Sequence, residues 1–449
     1  MRAPFLLASG TLAVALLALV ARSSLQTTTP ALDVAALRDY SGVYQWAPGS
    51  YLYLQPWNEL TGRDELVAFD ESGEVRVLYP GERDRFSAGP GAAVQTPVES
   101  RIEFRRDSSD RITALAWQRE GGTKRVARRV DIERHEDIRF LNAAVQLAGT
   151  LVRPNRAGRH PAIVLVHGSG PADRHYVVPF ARFLVRRGIA VLGYDKRGVG
   201  ESTGDWKVAS FEELAGDVMA AVNSLKSRGD IDAAQIGLLG ISQAGWVMPI
   251  AAVRQNDIAF LISISGAGVS AAETTIDQAR NEMTSAGMPA PAVTQIVELM
   301  TLQYAFAKTG QGWDAYAAAR RRIAARMGNP PETFPATPGH PYWQTIRRLY
   351  FYDPGPTLRQ LQTPTLALFG ELDNNIVAGK NSAAWEAALK AGGHRDYTLR
   401  IIPRANHLHL EAKTGSNPEM ATLQRFVPEY FSTVRSWLAS RVEGLDDSK

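Results

Sequence analysis

From about residue 139 the chain repeats one unit: a short, mostly apolar run, a turn, and a longer segment whose apolar residues recur at helical spacing. The apolar runs fall at 162–166, 189–194, 236–240, 260–265, 365–369 and 397–402, and the helical patterns at 178–187, 211–228, 245–254, 382–391 and 418–442. A strand that is apolar on both faces has to be covered on both faces, and helical crossovers achieve this for a parallel sheet. The expected fold class is therefore α/β: a mostly parallel central sheet flanked by helices, over residues 139–442. One interval breaks the alternation. Residues 270–358 carry several helical segments and no convincing strand, and they read as a helical cap inserted over the carboxyl edge of the sheet. Methionine and aromatic side chains are dense there, from Met283 and Met300 through Tyr304 and Trp313 to Trp343 and Tyr352. Singly such residues make the core of a helical subdomain; together they suit a pocket for an apolar substrate.

Residues 33–138 have a different texture. Short β-like runs near 51–54, 65–69, 74–79, 101–104 and 112–117 are separated by Pro48-Gly49, Ser72-Gly73, Pro80-Gly81 and Gly121-Gly122. That spacing predicts a small antiparallel sheet or barrel. It holds no constellation with chemistry in it, so packing or shaping of the substrate site is its expected role.

At 449 residues, two globular units and a targeting segment are expected. Arg2 followed by an uncharged Leu/Ala/Val-rich run over 5–20 reads as a secretory signal over residues 1–23, with cleavage at Ala21-Arg22-Ser23 and an uncleaved anchor as the alternative. A periplasmic or secreted location follows, with no other membrane-spanning stretch expected. The chain has no cysteine, which excludes a thiol nucleophile, a disulfide framework and a Cys-based zinc site. Any nucleophile must be oxygen or nitrogen. The formal charge is only +4 and the basic residues are interspersed with acids, so no nucleic-acid partner is expected.

The strongest local signal is Leu238-Leu-Gly-Ile-Ser-Gln-Ala-Gly245, a strand running straight into a helix with Ser242 at the apex. Such a turn lifts the serine hydroxyl above the sheet and places a helix N-terminus behind it, where negative charge is favoured. Small residues must flank the serine; Gly240 does so before it, and Ala244 replaces the usual glycine after it. Two later strands each end in a suitable partner: Leu368-Phe-Gly-Glu-Leu-Asp373, then Pro403-Arg-Ala-Asn-His407. The order Ser, Asp, His along such a sheet is what nucleophilic catalysis requires, with His407 as base and Asp373 holding its tautomer. Glu371 is the rival acid and His409 the rival base. Acyl transfer also needs two backbone donors for the oxyanion. The Gln243 N–H supplies one. The other falls in Val164-Leu-Val-His-Gly-Ser-Gly-Pro171, at Ser169 or alternatively Gly170, with His167 read as structural. Asp195-Lys-Arg-Gly-Val-Gly-Glu-Ser202 lacks the spacing of a phosphate loop and reads as structural bracing.

Together His167-Gly-Ser-Gly-Pro-Ala-Asp-Arg174, Tyr194-Asp-Lys-Arg-Gly-Val-Gly-Glu-Ser202 and Gly240-Ile-Ser-Gln-Ala-Gly245 resemble bacterial α/β-hydrolases of the serine aminopeptidase-like and dienelactone hydrolase-like carboxylesterase groups. The resemblance covers roughly 139–442 and implies the same site residues and the cap over 270–358. The expected function is hydrolysis of small-molecule carboxylic esters with small to medium apolar acyl or aryl groups, through an acyl-enzyme, with no metal or organic cofactor. A peptidase is the enzymatic alternative, with Glu273, Asp277 or Asp353 as anchor for a substrate ammonium. An acyltransferase or thioesterase on the same triad, and a non-catalytic binding protein that keeps the fold, are the others. Substrate contacts and oligomeric state have no sequence signature.

Overall fold

The computed structural model describes residues 32–174 and 179–445. The expected signal segment, 1–23, lies outside the described residues. After the helix α1 (Val34–Tyr40) come eight antiparallel strands, β1 (Gly42–Ala47), β2 (Ser50–Trp57), β3 (Glu65–Asp70), β4 (Val75–Pro80), β5 (Arg85–Ala88), β6 (Ser100–Arg106), β7 (Ile112–Arg119) and β8 (Arg125–Val130). Each pairs with the next, and β1 closes on β8 to make a barrel. Along β6 buried and exposed residues alternate, as a strand with one wet face should. Leu54, Leu66, Phe86, Phe104 and Leu115 fill the interior together with Leu37 and Tyr40 of α1. β2 and β3 do not alternate, because both their faces are buried. Tyr53, Trp57, Val67 and Phe69 turn away from the lumen and share a core with Leu165, Phe183, Phe426 and Phe431.

The second sheet has the strands β9 (Glu133–Asn142), β10 (Val145–Pro154), β11 (His160–Val166), β12 (Ala190–Tyr194), β13 (Ile231–Ile241), β14 (Leu261–Ile264), β15 (Thr365–Gly370) and β16 (Tyr397–Ile402), in the order β16-β15-β14-β13-β11-β12-β10-β9. The six from β16 to β12 are parallel; β10 runs antiparallel to β12, and β9 antiparallel to β10. The sheet is therefore mixed. The change of pattern expected at 139 lies inside β9, whose polar sequence disguises it as a loop; it is an edge strand, and charge on an edge discourages further pairing.

The helices are α2 (Pro179–Arg186), α3 (Phe211–Lys226), α4 (Ala244–Arg254), α5 (Ala271–Ser285), α6 (Ala290–Thr309), α7 (Trp313–Met327), α8 (Tyr342–Leu349), α9 (Gly355–Gln360), α10 (Ala378–Ala391) and α11 (Glu429–Ala439). Alternate strand residues serve the two faces of the sheet. Val164, Leu238 and Phe369 join α3, α4, α10 and the insertion, whereas Ile163, Leu239 and Leu368 join α2, α11 and the barrel. Among the described residues, the interval 270–358 holds helices and no strand. Phe306, Trp313, Tyr316 and Trp343 pack mutually there with ring centroids 4.8–6.3 Å apart, so these rings are the insertion's own core.

The helix expected at 418–442 is not continuous. A 3-10 turn covers Asn417–Thr422, and α11 begins only at Glu429. Between them the backbone is drawn into bridges with its neighbours: Val75 N–H donates to the Gln424 carbonyl, Phe426 N–H to Gly73, and Val427 N–H to His409. Pairing partners on two sides outweigh helical propensity, and Pro428 then starts α11.

Candidate active site

Ser242 directly follows β13 with φ of 59°, a left-handed conformation that costs a non-glycine residue about 1–3 kcal/mol and persists only where its surroundings enforce it. Its N–H donates to the Ile264 carbonyl at 3.0 Å, and its own carbonyl accepts from Gly245 at 2.9 Å and Ala267 at 3.2 Å. The need for small neighbours is concrete. A Cβ on Gly240 would lie 2.5 Å from the Ala244 Cβ and 2.7 Å from the Val166 carbonyl oxygen, and one on Gly245 would lie 2.5 Å from the Ala267 nitrogen. The alanine at 244 is fully buried and accommodated, so this departure from glycine leaves the turn intact.

Asp373 lies beyond β15 and His407 beyond β16. Their side chains meet, with Asp373 Oδ2 2.9 Å from His407 Nδ1. The Asp373 side chain is fully buried, and its other oxygen accepts from the N–H groups of Asn375 and Ile376, both at 2.8 Å. Burial pulls the His407 imidazole down, but the charge and hydrogen bond of Asp373 outweigh it, and the ring holds its proton more tightly than an ordinary histidine. The charges of Glu59, in the loop after β2, and of Glu282, on α5, act in the same direction. Asp373 thus holds the His407 ring through Nδ1, and Nε2 lies on the side of the ring away from this bond.

The rivals fall away. Glu371 is exposed and accepts from the Arg404 N–H at 2.8 Å, closing a turn. His409 is fully buried and stacked on Tyr430 at 4.6 Å; burial, with the His407 charge adding to it, presses its pKa to about 3, so it stays neutral. His167 is also structural: Nε2 lies 2.6 Å from the Tyr194 carbonyl, and burial together with the Lys196 charge lowers it to about 3.

Ser169 is half-buried between Gly168 and Gly170, in the loop after β11; Gly170 takes φ of 86°. Among the described residues, the N–H groups of Ser169 and Gln243 donate to no backbone carbonyl. The loop 195–202 braces this region as expected. Arg174 grips both oxygens of Asp195 at 2.7–3.0 Å, and Arg197 grips both of Asp217 at 2.7 Å.

Three contributors had no site role in the sequence reading. Ser265, at the end of β14 with φ of 46°, donates from its hydroxyl to the His407 carbonyl at 3.0 Å and so fixes the histidine loop. Glu59 arrives from the barrel, whose Leu60 shares a core with Leu408 and Leu410 on either side of His409. Lys196 reaches both loops beside Ser242. Left-handed φ at Ser242, Ser265, Arg404 and His409 concentrates backbone strain at one edge of the sheet.

Comparison with known proteins gives a family and distant relatives. Esterase EstD of Thermotoga maritima is 25% identical over 282 residues, 61% of this chain and 60% of EstD. The quorum-quenching protein AidA of Acinetobacter baumannii is 30% identical over 128 residues, 28% of this chain and 42% of AidA. The chain thus spans less than two thirds of the length of these relatives. Among solved structures, the Pyrococcus furiosus esterase Pf2001 superposes with a TM-score of 0.47 at 16% identity, covering 69% of this chain and 92% of that one. The alpha/beta hydrolase family model matches residues 163–419, which takes in Ser242, Asp373 and His407 and more than half of the sequence. The chain belongs to the alpha/beta hydrolase family.

Proposed function

We propose that the protein is a serine hydrolase of carboxylic esters, acting through an acyl-enzyme on Ser242. The observation that carries this reading is the buried Asp373–His407 pair at 2.9 Å, at the same sheet edge as a serine held at a strained strand-to-helix turn. His407 Nε2 takes the proton as Ser242 Oγ attacks the ester carbon, while Asp373 keeps Nδ1 protonated and stabilises the imidazolium. The N–H groups of Gln243 and Ser169 receive the oxyanion. Collapse expels the alcohol, protonated by His407, and leaves the acyl group on Ser242; water activated by the same histidine releases the acid. The esterase name of EstD agrees with this chemistry.

The acids expected to anchor a substrate ammonium in the peptidase alternative are engaged within the chain. Glu273 caps α5 and lies 3.5 Å from Lys380, Asp277 pairs with Lys380 and Arg280, and Asp353 accepts from the Gly355 N–H. An export route rests on residues 1–23 alone and is tested by locating the processed N-terminus. The activity is tested with p-nitrophenyl esters from acetate to decanoate beside aminoacyl-p-nitroanilides. Ester turnover should dominate and fall by about 10⁴-fold or more in Ser242→Ala. Preferential anilide cleavage, or a serine variant as active as the parent, contradicts the proposal.

A further inference from the structure

Lys196 follows β12 and is 3% exposed. Its Nζ donates to three acceptors: the Gly168 carbonyl at 2.9 Å, the Gly170 carbonyl at 3.2 Å and Gln243 Oε1 at 2.9 Å. Gly168 and Gly170 bracket Ser169, and Gln243 follows the nucleophile. One side chain thus ties together the two backbone segments that carry the proposed oxyanion donors. An ammonium has three protons to give and no acceptor capacity, so this geometry uses it completely. An apolar side chain would fill the volume but leave two buried carbonyls and an amide oxygen without their donor, which is costly in a dry site. We propose that Lys196 is a positioning residue for the oxyanion hole: it sets the spacing of the Ser169 and Gln243 N–H groups and places a positive charge behind them. This rests on the serine-hydrolase reading above.

The surroundings make that charge titratable. Asp217 of α3 is engaged by Arg197, Asp195 is engaged by Arg174, His167 stays neutral, and the Trp206 ring centroid lies 5.6 Å from Nζ. Among the described residues no carboxylate pairs with Lys196 directly. Burial brings its pKa down to about 7, with Asp217 opposing weakly. Below that value the ammonium makes all three bonds. Above it a neutral amine donates only two, so one wall of the hole loses its tie and the charge is gone. Activity should therefore fall on the alkaline side through Lys196, as it falls on the acid side through His407.

The test measures kcat and KM for p-nitrophenyl acetate from about pH 5.5 to about pH 9.5 on the full chain, its Ser242→Ala variant, and Lys196→Met, Lys196→Arg and Gln243→Glu. Loss of turnover in Ser242→Ala establishes the underlying reading separately; turnover that survives there sinks that reading and leaves the lysine result without a hole to explain. Lys196→Met should lower kcat by about 10²-fold with little change in KM, and lose the alkaline limb. Lys196→Arg keeps its proton throughout, so its alkaline limb should move upward. A kcat in folded Lys196→Met within about 2-fold of the parent overturns the proposal, as does an unmoved limb in Lys196→Arg. If the methionine variant does not fold, Gln243→Glu decides the matter: a carboxylate in place of the amide raises the lysine pKa, and a limb that stays where it was contradicts the role of Lys196.

Discussion

The charge balance at the site is set by single residues, and Asp373 carries most of it. Its bond to His407 Nδ1 raises the imidazole against the opposing effect of burial. The base must be neutral to work, so the rate falls as pH drops through this raised value, on the alkaline side of an ordinary histidine. Asp373→Asn removes the charge and presents an amide to Nδ1. The expected result is a loss of about 10³–10⁴-fold in kcat together with a displacement of the acid limb to lower pH. A profile measured on any ester that the parent turns over reads both effects, and a limb that does not move would mean that Asp373 does not face the working base. At this scale the sequence was most legible where chemistry demands a fixed local geometry. Ser242 announces itself through Gly240, where any added Cβ would strike Ala244. Asp373 and His407 stand out as polar residues in the loops just after β15 and β16. Ser265 did not, because its contribution is a hydroxyl to a backbone carbonyl across the sheet, and only the folded chain brings the two together.

Among the elements of the second sheet and after it, the least visible were β9, β10 and the broken segment after residue 417. Each is shaped by a partner distant in sequence: β9 and β10 pair as an edge hairpin, and the stretch before α11 pairs with the barrel and with the His407 loop. The barrel strands carried a clue in their composition. β2 and β3 are apolar on both faces, which a free-standing barrel does not need, and the surplus face meets α2 and α11. A polar weld accompanies it. Glu71, just after β3, accepts from the Tyr53 hydroxyl and from Arg186 and Arg187 of the α2 region, both guanidinium contacts at 2.6 Å. Burial alone would raise the Glu71 carboxyl, but the Arg187 bond and charge outweigh it and hold it below its usual value. Its contribution to stability is therefore complete above the ordinary glutamate range and is lost as pH falls through the depressed folded value. Glu71→Gln should cost about 2 kcal/mol in urea unfolding at neutral pH, with the difference from the parent shrinking in acid. An equal difference at both pH values would show that charge has no part in the weld.

The molecule as a whole is a family sheet whose carboxyl edge is buttressed by a barrel that supplies Leu60 to the core around the histidine loop and the Glu59 charge to His407. The α/β class and the strandless helical interval 270–358 were legible because they depend on periodicity and on strand order. The docking of the barrel was not, since it depends on surfaces from residues hundreds of positions apart, such as Trp57 against Phe426.

The central claim is that an acyl group resides on Ser242. Rapid acid quench of the protein with p-nitrophenyl acetate, followed by mass spectrometry of the intact chain and its peptides, tests this directly. One acetyl increment on the peptide containing Ser242, absent from Ser242→Ala, is the expected result; an increment on another residue, or undiminished turnover in the variant, would contradict it.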